Sequence, residues 1–328
     1  MRVVLHTPGA PRHGVARHAA TLARQLTARG VSVVSDGADV AHTQFTDALW
    51  GTDIAAAAAA FTRWSATAPR PLVVTLHDVP GGDADPDRDR RRVRGYAEVA
   101  AAADAAVVSA HHEAARLAAT TGHPASVVPL PVDALPIGPT PLWADRVTLG
   151  VLGFVYPGKG HAAVIAAAAH HPSRPLVVAA GAVSPGHDGL WSELARQADA
   201  AGVDLLLTGA LDDGAMGAAA RAVTVPVVPS RTVSASGTLA TWWGCDRRPL
   251  VARSPYAVEQ ARDRPECLWL YDPGGAGGRV GSDGLDAAIG AVLADPGRSR
   301  IGAHPPWPDV GAAHVAVYRR LLAERARC

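Results

Sequence analysis

Short aliphatic runs recur along the chain at 3–6, 31–35, 40–43, 72–77 and 106–109, each set against longer Ala/Leu/Arg stretches of helical period at 15–28, 54–64 and 111–121. Apolar runs without polar alternation read as strands buried on both faces, and such strands pair in parallel with helices above and below. Right-handed βαβ crossovers are the connection that satisfies this arrangement. The first part of the chain therefore predicts a doubly wound α/β domain.

A second alternating series begins after a proline-rich stretch, PLPVDALPIGPTPLWAD at 129–145, which suits an extended linker better than a helix or strand. Its apolar runs are 147–153, 176–181, 203–209, 223–228, 250–252 and 268–271. At 328 residues and 48% hydrophobic content the chain is long enough for two cores, since one core stops growing at roughly 250–300 residues. The expected organisation is a Rossmann-like domain at 1–132, a linker at 133–146, a second Rossmann-like domain at 147–309 and an amphipathic closing helix at 310–328 through Val315, Tyr318 and Leu322. The glycine-rich stretch DPGGAGGRVGSD at 272–283 has no hydrophobic period and reads as a mobile loop.

Charge excludes one class of partner. With 31 Lys+Arg against 30 Asp+Glu, net charge +1, there is no bulk basic surface for nucleic acid. No apolar stretch approaches the roughly 20 residues of a bilayer span, and the first strand begins at once, so a cytoplasmic protein is expected. Cys245, Cys267 and Cys328 lack paired spacing and read as free thiols, not as a disulfide framework or zinc site.

Four strand-to-helix loops carry candidate chemistry. The sharpest is GFVYPGKGH at 153–161, because Lys159 is the only lysine in the chain and lies between two glycines after an apolar strand. An ammonium beside a helix N-terminus favours an anion, and a compact point charge is not interchangeable with the planar fork of arginine. The loop at 6–15 places Gly14 at the start of a helix, either as a phosphate-binding turn or as an ordinary connection; it is not a G-x-G-x-x-G. TLHD at 75–78 puts His77 just past a strand's carboxyl end, where open α/β sheets bind ligands, although a satisfied loop histidine has the same signature. In PSRTVSASGT, Ser236, Gly237 and Thr238 precede a helix expected at 239–245, as an anion site or as a Ser/Thr cap. Asp83 and Asp85 form a D-x-D inside a strongly charged loop, where a solvated role outweighs metal binding. The run at 88–94 reads as a solvated helix start, with peripheral contact to anionic lipid as the alternative.

Taken in order, HGVARHAATLARQLTARG, VVTLHD, VVPLPVD, VLGFVYPGKG and PSRTVSASGTLATWWGCDRRPLVA resemble family 4 of the glycosyltransferases, across nearly the whole chain. The resemblance implies the GT-B fold, two Rossmann-like domains facing across a cleft, with the closing helix HVAVYRRLL crossing back to the first. It implies transfer of a sugar from a nucleotide diphosphate donor to an acceptor with retention of configuration, with no metal and no other cofactor. In that picture Lys159, Ser236, Gly237 and Thr238 neutralise the leaving diphosphate, Gly14 lets the backbone approach donor or acceptor, His77 contacts the transferred sugar, and Glu259 falls where a family acid often sits. Phe154 stands where the family typically has an arginine, and Ser234 and Trp242 stand where it has two glutamates. Arg231 and Arg253 are the candidates to replace that arginine, and Trp242 is expected to pack inside its helix. The missing carboxylates motivate an alternative, a GT-B-fold protein that binds a nucleotide sugar or a partner without turnover. A nucleotide-sugar epimerase would need several carboxylates in the cleft, and the sequence offers few.

Overall fold

The computed structural model describes residues 1–8, 14–82, 85–274 and 283–327. In chain order the elements are β1 (Arg2–His6), α1 (Gly14–Ala28), β2 (Ser32–Val33), β3 (Val40–Phe45), α2 (Asp47–Trp50), α3 (Ile54–Ser65), β4 (Leu72–Leu76), α4 (Pro86–Ala101), β5 (Ala105–Val108), α5 (His111–Thr121) and β6 (Ala125–Val127). Then follow β7 (Thr148–Leu152), α6 (His161–His170), β8 (Leu176–Ala180), α7 (Asp188–Ala201), β9 (Leu205–Leu207), α8 (Asp213–Ala222), β10 (Val225–Val228), α9 (Gly237–Trp243), β11 (Leu250–Ala252), α10 (Pro255–Asp263), β12 (Trp269–Tyr271), α11 (Asp283–Ala294) and α12 (Val310–Arg325). The chain divides into one compact unit of Met1–Pro131 with Trp307–Cys328 and another of Val132–Pro306.

In the first unit a parallel sheet runs β2-β1-β3-β4-β5-β6. The alternating residues of β4 divide between two cores. Leu72, Val74 and Leu76 join Phe45, Phe61, Tyr96 and Leu117 on one face, while Val73 joins Leu22, Leu26, Val310 and Tyr318 on the other. That second face is covered by α1 and α12, so the closing helix belongs to the first unit although it ends the chain. Asp53 caps α3 by accepting from Ala56 N–H at 2.9 Å, and Asp309 caps α12 by accepting from Ala312 N–H at 2.8 Å.

The reading of β3 as 40–43 is too short. The strand continues through Gln44 and Phe45, and His42, Thr43 and Gln44 are all fully buried. A polar run hides its strand character from hydrophobic periodicity, yet it survives in the sheet because each group finds a partner. His42 bridges Tyr318 Oη at 2.6 Å and Thr75 Oγ1 at 2.8 Å, and Thr43 Oγ1 donates to the His6 carbonyl at 2.9 Å.

The second unit repeats the architecture with the order β12-β11-β10-β7-β8-β9, again parallel throughout. Its core gathers Leu149, Val151, Val164, Ile165, Val177, Val225, Val227 and Ile289. The proline-rich stretch has no regular structure but is fastened to α8: Arg221 donates to the carbonyls of Leu135 and Pro136, and Gly138 N–H to Gly214 O. Arg247 is buried without a carboxylate, its guanidinium donating to the carbonyls of Arg221, Thr224 and Ser299 and to Ser299 Oγ. Burial pushes its pKa down to about 10. The helix expected at 239–245 starts two residues earlier, since Ser236 Oγ accepts from Leu239 N–H and sets the first turn at Gly237.

Among the described residues no helix is long and apolar enough to cross a membrane. Cys245 and Cys267 are buried free thiols, and Cys328 lies outside the described residues.

Buried histidines make the fold acid-sensitive. His314 is 1% exposed, and burial lowers its pKa from 6.5 to about 4. The unfolded chain therefore takes up a proton that the native state refuses, so its stabilising contribution is complete above pH 6.5 and is lost as pH falls toward 4. One such histidine accounts for about 2 kcal/mol between pH 6.5 and pH 5. Urea denaturation followed over this range is expected to show a shallower loss of stability in His314→Phe than in the wild type; equal slopes would contradict the assignment.

Candidate functional site

Both sheets have a point where the strand order reverses, between β1 and β3 in the first unit and between β7 and β10 in the second. Helices leave such neighbouring strands on opposite faces, and the crevice between their carboxyl ends is where open α/β sheets take ligands. The loop after β7 and the loop after β10 flank the second of these points.

The loop after β7 is shaped by glycine. Gly158 and Gly160 have φ of 86° and 95°, in the left-handed region that side chains disfavour, and they enclose Lys159. Lys159 N–H closes a turn onto Tyr156 O at 3.1 Å, while Val155 is fixed by pairing with Val183. Two left-handed residues reverse the chain about the lysine and turn its side chain inward. Lys159 is 5% exposed, and its Nζ donates to Thr238 Oγ1 at 3.0 Å. The Tyr156 ring lies 5.8 Å from Nζ, and Ser230 Oγ donates to the Lys159 carbonyl at 3.3 Å. Burial without a carboxylate pulls the lysine pKa down to about 8.

Two helix starts adjoin this ammonium. α6 begins immediately after Gly160, which offers no side-chain cap, and α9 begins at Gly237 with Ser236 as cap. Thr238 is half-buried and Gly237 exposed, and a Cβ at Gly237 would meet nothing within 4 Å. His161, the first residue of α6, is 3% exposed; burial and then the Lys159 charge lower its pKa to about 4. A cation, a hydroxyl and a helix N-terminus are each groups that favour a nearby anion.

The remaining second-unit candidates fall elsewhere. Arg231 donates to the Pro273 carbonyl, and Arg253 pairs with Asp272 at 2.5 Å, so both arginines hold the segment after β12. Glu259 is buried in α10, behind a cap made by Ser254. Ser234 is half-buried in the loop before α9. Trp242 packs wholly inside the unit, with no hydrogen-bond partner for its indole N–H. Phe154 and Tyr156 are 42% and 39% exposed on the lysine loop.

In the first unit His77 follows β4 directly. Its N–H donates to Phe45 O at 2.8 Å, its carbonyl accepts from Tyr96 Oη, and its Nε2 lies 2.8 Å from Gln44 Oε1. Asp78 takes a left-handed φ of 56° and turns the chain sharply away. His18 of α1 meets the His77 ring edge-on at 5.4 Å between centroids. Gly14 opens α1, is exposed, and would accommodate a Cβ without contact. The loop residues at 9–13 lie outside the described residues, as do Asp83 and most of the glycine-rich stretch at 275–282. Asp85 caps α4, accepting from Asp87 and Arg88 N–H groups at 2.9 and 3.1 Å. The basic run is the start of α4. There Arg92 pairs with Asp47 at 3.1 Å, and Arg88, Arg91 and Arg94 are exposed. No group of three or more His, Cys, Asp or Glu among the described residues could hold a metal ion.

Gln44, His18 and His161 escape a reading by motif. The one signal for Gln44 is positional: it stands two residues after His42, on the same face of a strand with no exposed side.

No protein-family model matches the chain, and no curated protein matches it by sequence. Solved structures do match. Anabaena HepE in complex with UDP-glucose aligns with a TM-score of 0.71 over 100% of this chain and 99% of its own, at 15% identity. Sucrose-phosphate synthase from Thermosynechococcus elongatus aligns at 0.66 over 98% and 94%, at 16% identity, and a Rickettsia africae glycosyltransferase at 0.60 over 98% and 93%, at 12%. The chain has the GT-B fold. At these identities the likeness is one of fold, and both units take part in it.

The geometry makes Gly160 a test of how the lysine loop is built. A Cβ there would sit 2.7 Å from Pro229 Cβ and 2.9 Å from its carbonyl oxygen, at a φ of 95°. Gly160→Ala is expected to lose about 2 kcal/mol or more of stability by chemical denaturation. Gly14→Ala, whose new methyl meets open space, is expected to leave stability within about 0.5 kcal/mol of wild type.

Proposed function

We propose that the chain is a glycosyltransferase that moves a sugar from a nucleoside diphosphate sugar to an acceptor hydroxyl, with retention of configuration and without a metal. The observation that carries this is the buried Lys159 Nζ, 3.0 Å from Thr238 Oγ1 beside the start of α9, at the reversal point of the second sheet. Support comes from the shared fold: HepE has been seen with UDP, with UDP and glucose, and with UDP-glucose.

In the proposed reaction the bond between the anomeric carbon and the donor phosphate oxygen breaks as the acceptor hydroxyl attacks. The hydroxyl proton passes to the departing phosphate. Negative charge grows on the diphosphate, and Lys159, the Thr238 hydroxyl and the open N–H groups of Gly237 and Thr238 are aimed at it. Donors fixed in advance lower a barrier because they need no reorganisation as charge develops. Open space at Gly237 lets a phosphate approach the backbone closely. Ser236 assists by capping the turn that presents those groups. His77 and Gly14 are assigned to the transferred sugar and the acceptor.

Arg231 and Arg253 do not stand in for a second phosphate-binding cation in this proposal, because both are engaged by the 272–273 segment. Phe154 and Trp242 add no charge. That economy favours the second reading, a GT-B-fold protein that binds a nucleotide sugar without turnover. UDP release from UDP-glucose, measured over hours with and without added sugar acceptors, separates the two: saturable binding with no release supports the second.

UDP at 100 times its Kd is expected to raise stability by about 2.7 kcal/mol in thermal-shift assays. Lys159→Ala is expected to weaken UDP binding by roughly ten- to a hundredfold, and Lys159→Arg to restore little, since a planar fork does not fit a point-charge site. Because Lys159 titrates near 8 and binds anions only when protonated, affinity is expected to be level below pH 7 and to fall above pH 8. Affinity unchanged up to pH 9.5, or a fully active Lys159→Arg, would sink the assignment.

A further inference from the structure

The proline-rich connection carries the barest apolar side chains of the chain. Among the described residues the two most exposed large apolar side chains are Leu142 at 103% and Ile137 at 81%, both in the loop at 137–142. Apolar residues exposed singly are ordinary on a protein surface, but a run of them is not. From 134 to 142 the exposed residues are Ala134, Pro136, Ile137, Pro139, Thr140 and Leu142, and none is charged.

The base of this loop is fixed to α8. Arg221 donates to the carbonyls of Leu135 and Pro136 at 2.9 and 3.3 Å, and Gly138 N–H donates to Gly214 O at 3.1 Å. The two backbones run so close there that a Cβ on Gly138 would sit 2.6 Å from the Gly214 carbonyl oxygen. Beyond it Pro139 and Pro141 fix φ, and Ala144 N–H turns back to Pro141 O at 3.0 Å. A tip held in this way loses little freedom when something covers it. Pro136, Pro139 and Pro141 have no N–H, and that of Gly138 is already paired, so few backbone donors give up water when the loop leaves it. Trp143 follows, half-buried, and its indole N–H finds no acceptor among the described residues. The nearest exposed charges beyond it are Asp145 and Arg146, and Arg146 pairs with Asp204 at 2.5 Å.

We infer that the loop at 137–143 is a membrane-docking tip: Ile137 and Leu142 enter the acyl boundary of a zwitterionic lipid surface, with Trp143 at the level of the headgroups. An apolar ring with an open N–H suits that level, where one end is dry and the other wet. A fluid apolar layer accepts protruding side chains of any shape, whereas a protein partner needs a hole cut to fit each one. With no basic cluster on the loop, the attraction is apolar and not electrostatic, which separates it from the basic start of α4, a segment that would require anionic lipid. The inference does not depend on the glycosyl-transfer reading.

Co-sedimentation of the full chain with phosphatidylcholine vesicles at about 1 mM lipid tests this directly. The bound fraction is expected to stay level between about 50 and 500 mM salt, since no charge pairing is involved. Ile137→Ser and Leu142→Ser are each expected to lower the partition coefficient by roughly three- to tenfold, and the double variant to abolish binding. Val258→Ser, at a residue 43% exposed on α10 of the same unit, is expected to change nothing. All three side chains are exposed, so urea midpoints are expected to match the wild type, and lost binding then reports the surface and not the fold. Tryptophan emission is expected to shift to the blue when vesicles are added, by less in Trp143→Phe than in the wild type. Three results would overturn the inference. The first is a wild type that does not sediment with phosphatidylcholine. The second is binding confined to anionic vesicles and indifferent to both serine variants. The third is a lipid-free dimer, seen by analytical ultracentrifugation, that Leu142→Ser dissolves, which would assign the loop to a second copy of the chain.

Discussion

A parallel sheet covered on both faces leaves only its strand ends open to water, and every other feature of this chain follows from that constraint. Most side chains of β4 and of β7 are aliphatic and buried, so charged groups are driven to the loops after the strands. Where the strand order reverses, the helices part and two such loops lie side by side. Lys159 and Thr238 meet there because β7 and β10 are neighbours in the sheet, although 79 residues separate the two in sequence.

The lysine is sustained by the same logic. A buried ammonium without a carboxylate is costly, and its lowered pKa is the sign of that cost. The left-handed glycines at 158 and 160 flank the lysine, and the helix starts leave it beside groups that also favour an anion. Desolvation of a cation in a strand-end loop is a common mark of functional sites. The first unit solves the opposite problem, keeping His18, His42 and His314 uncharged by burial near one another, with neutral partners for His42.

Much of this architecture was legible in the sequence. Most strands, and the helices read at 15–28, 54–64 and 111–121, fall within a few residues of their expected places, because burial on both faces writes a continuous apolar run and helices carry their own period. β3 was read short because His42, Thr43 and Gln44 interrupt that run, and α9 was read late because its cap, not its apolar residues, sets the first turn. Lys159 was legible as a candidate by its uniqueness and by its glycines. Arg231 and Arg253 were legible only as cations past strand ends; that they are spent on the Asp272–Pro273 segment depends on β12, which lies beside β11 through pairing that no local pattern encodes.

By itself the sequence determined two doubly wound sheets, the candidate residues past their strand ends and the singular character of Lys159, because hydrophobic period and glycine spacing are local properties. Only the tertiary structure decided which groups face one another: Thr238 on the lysine, Gln44 on His77, Trp242 sealed in its core. The Lys159–Thr238 and His77–Gln44 pairings arise from which strands are neighbours in each sheet, which no local pattern encodes.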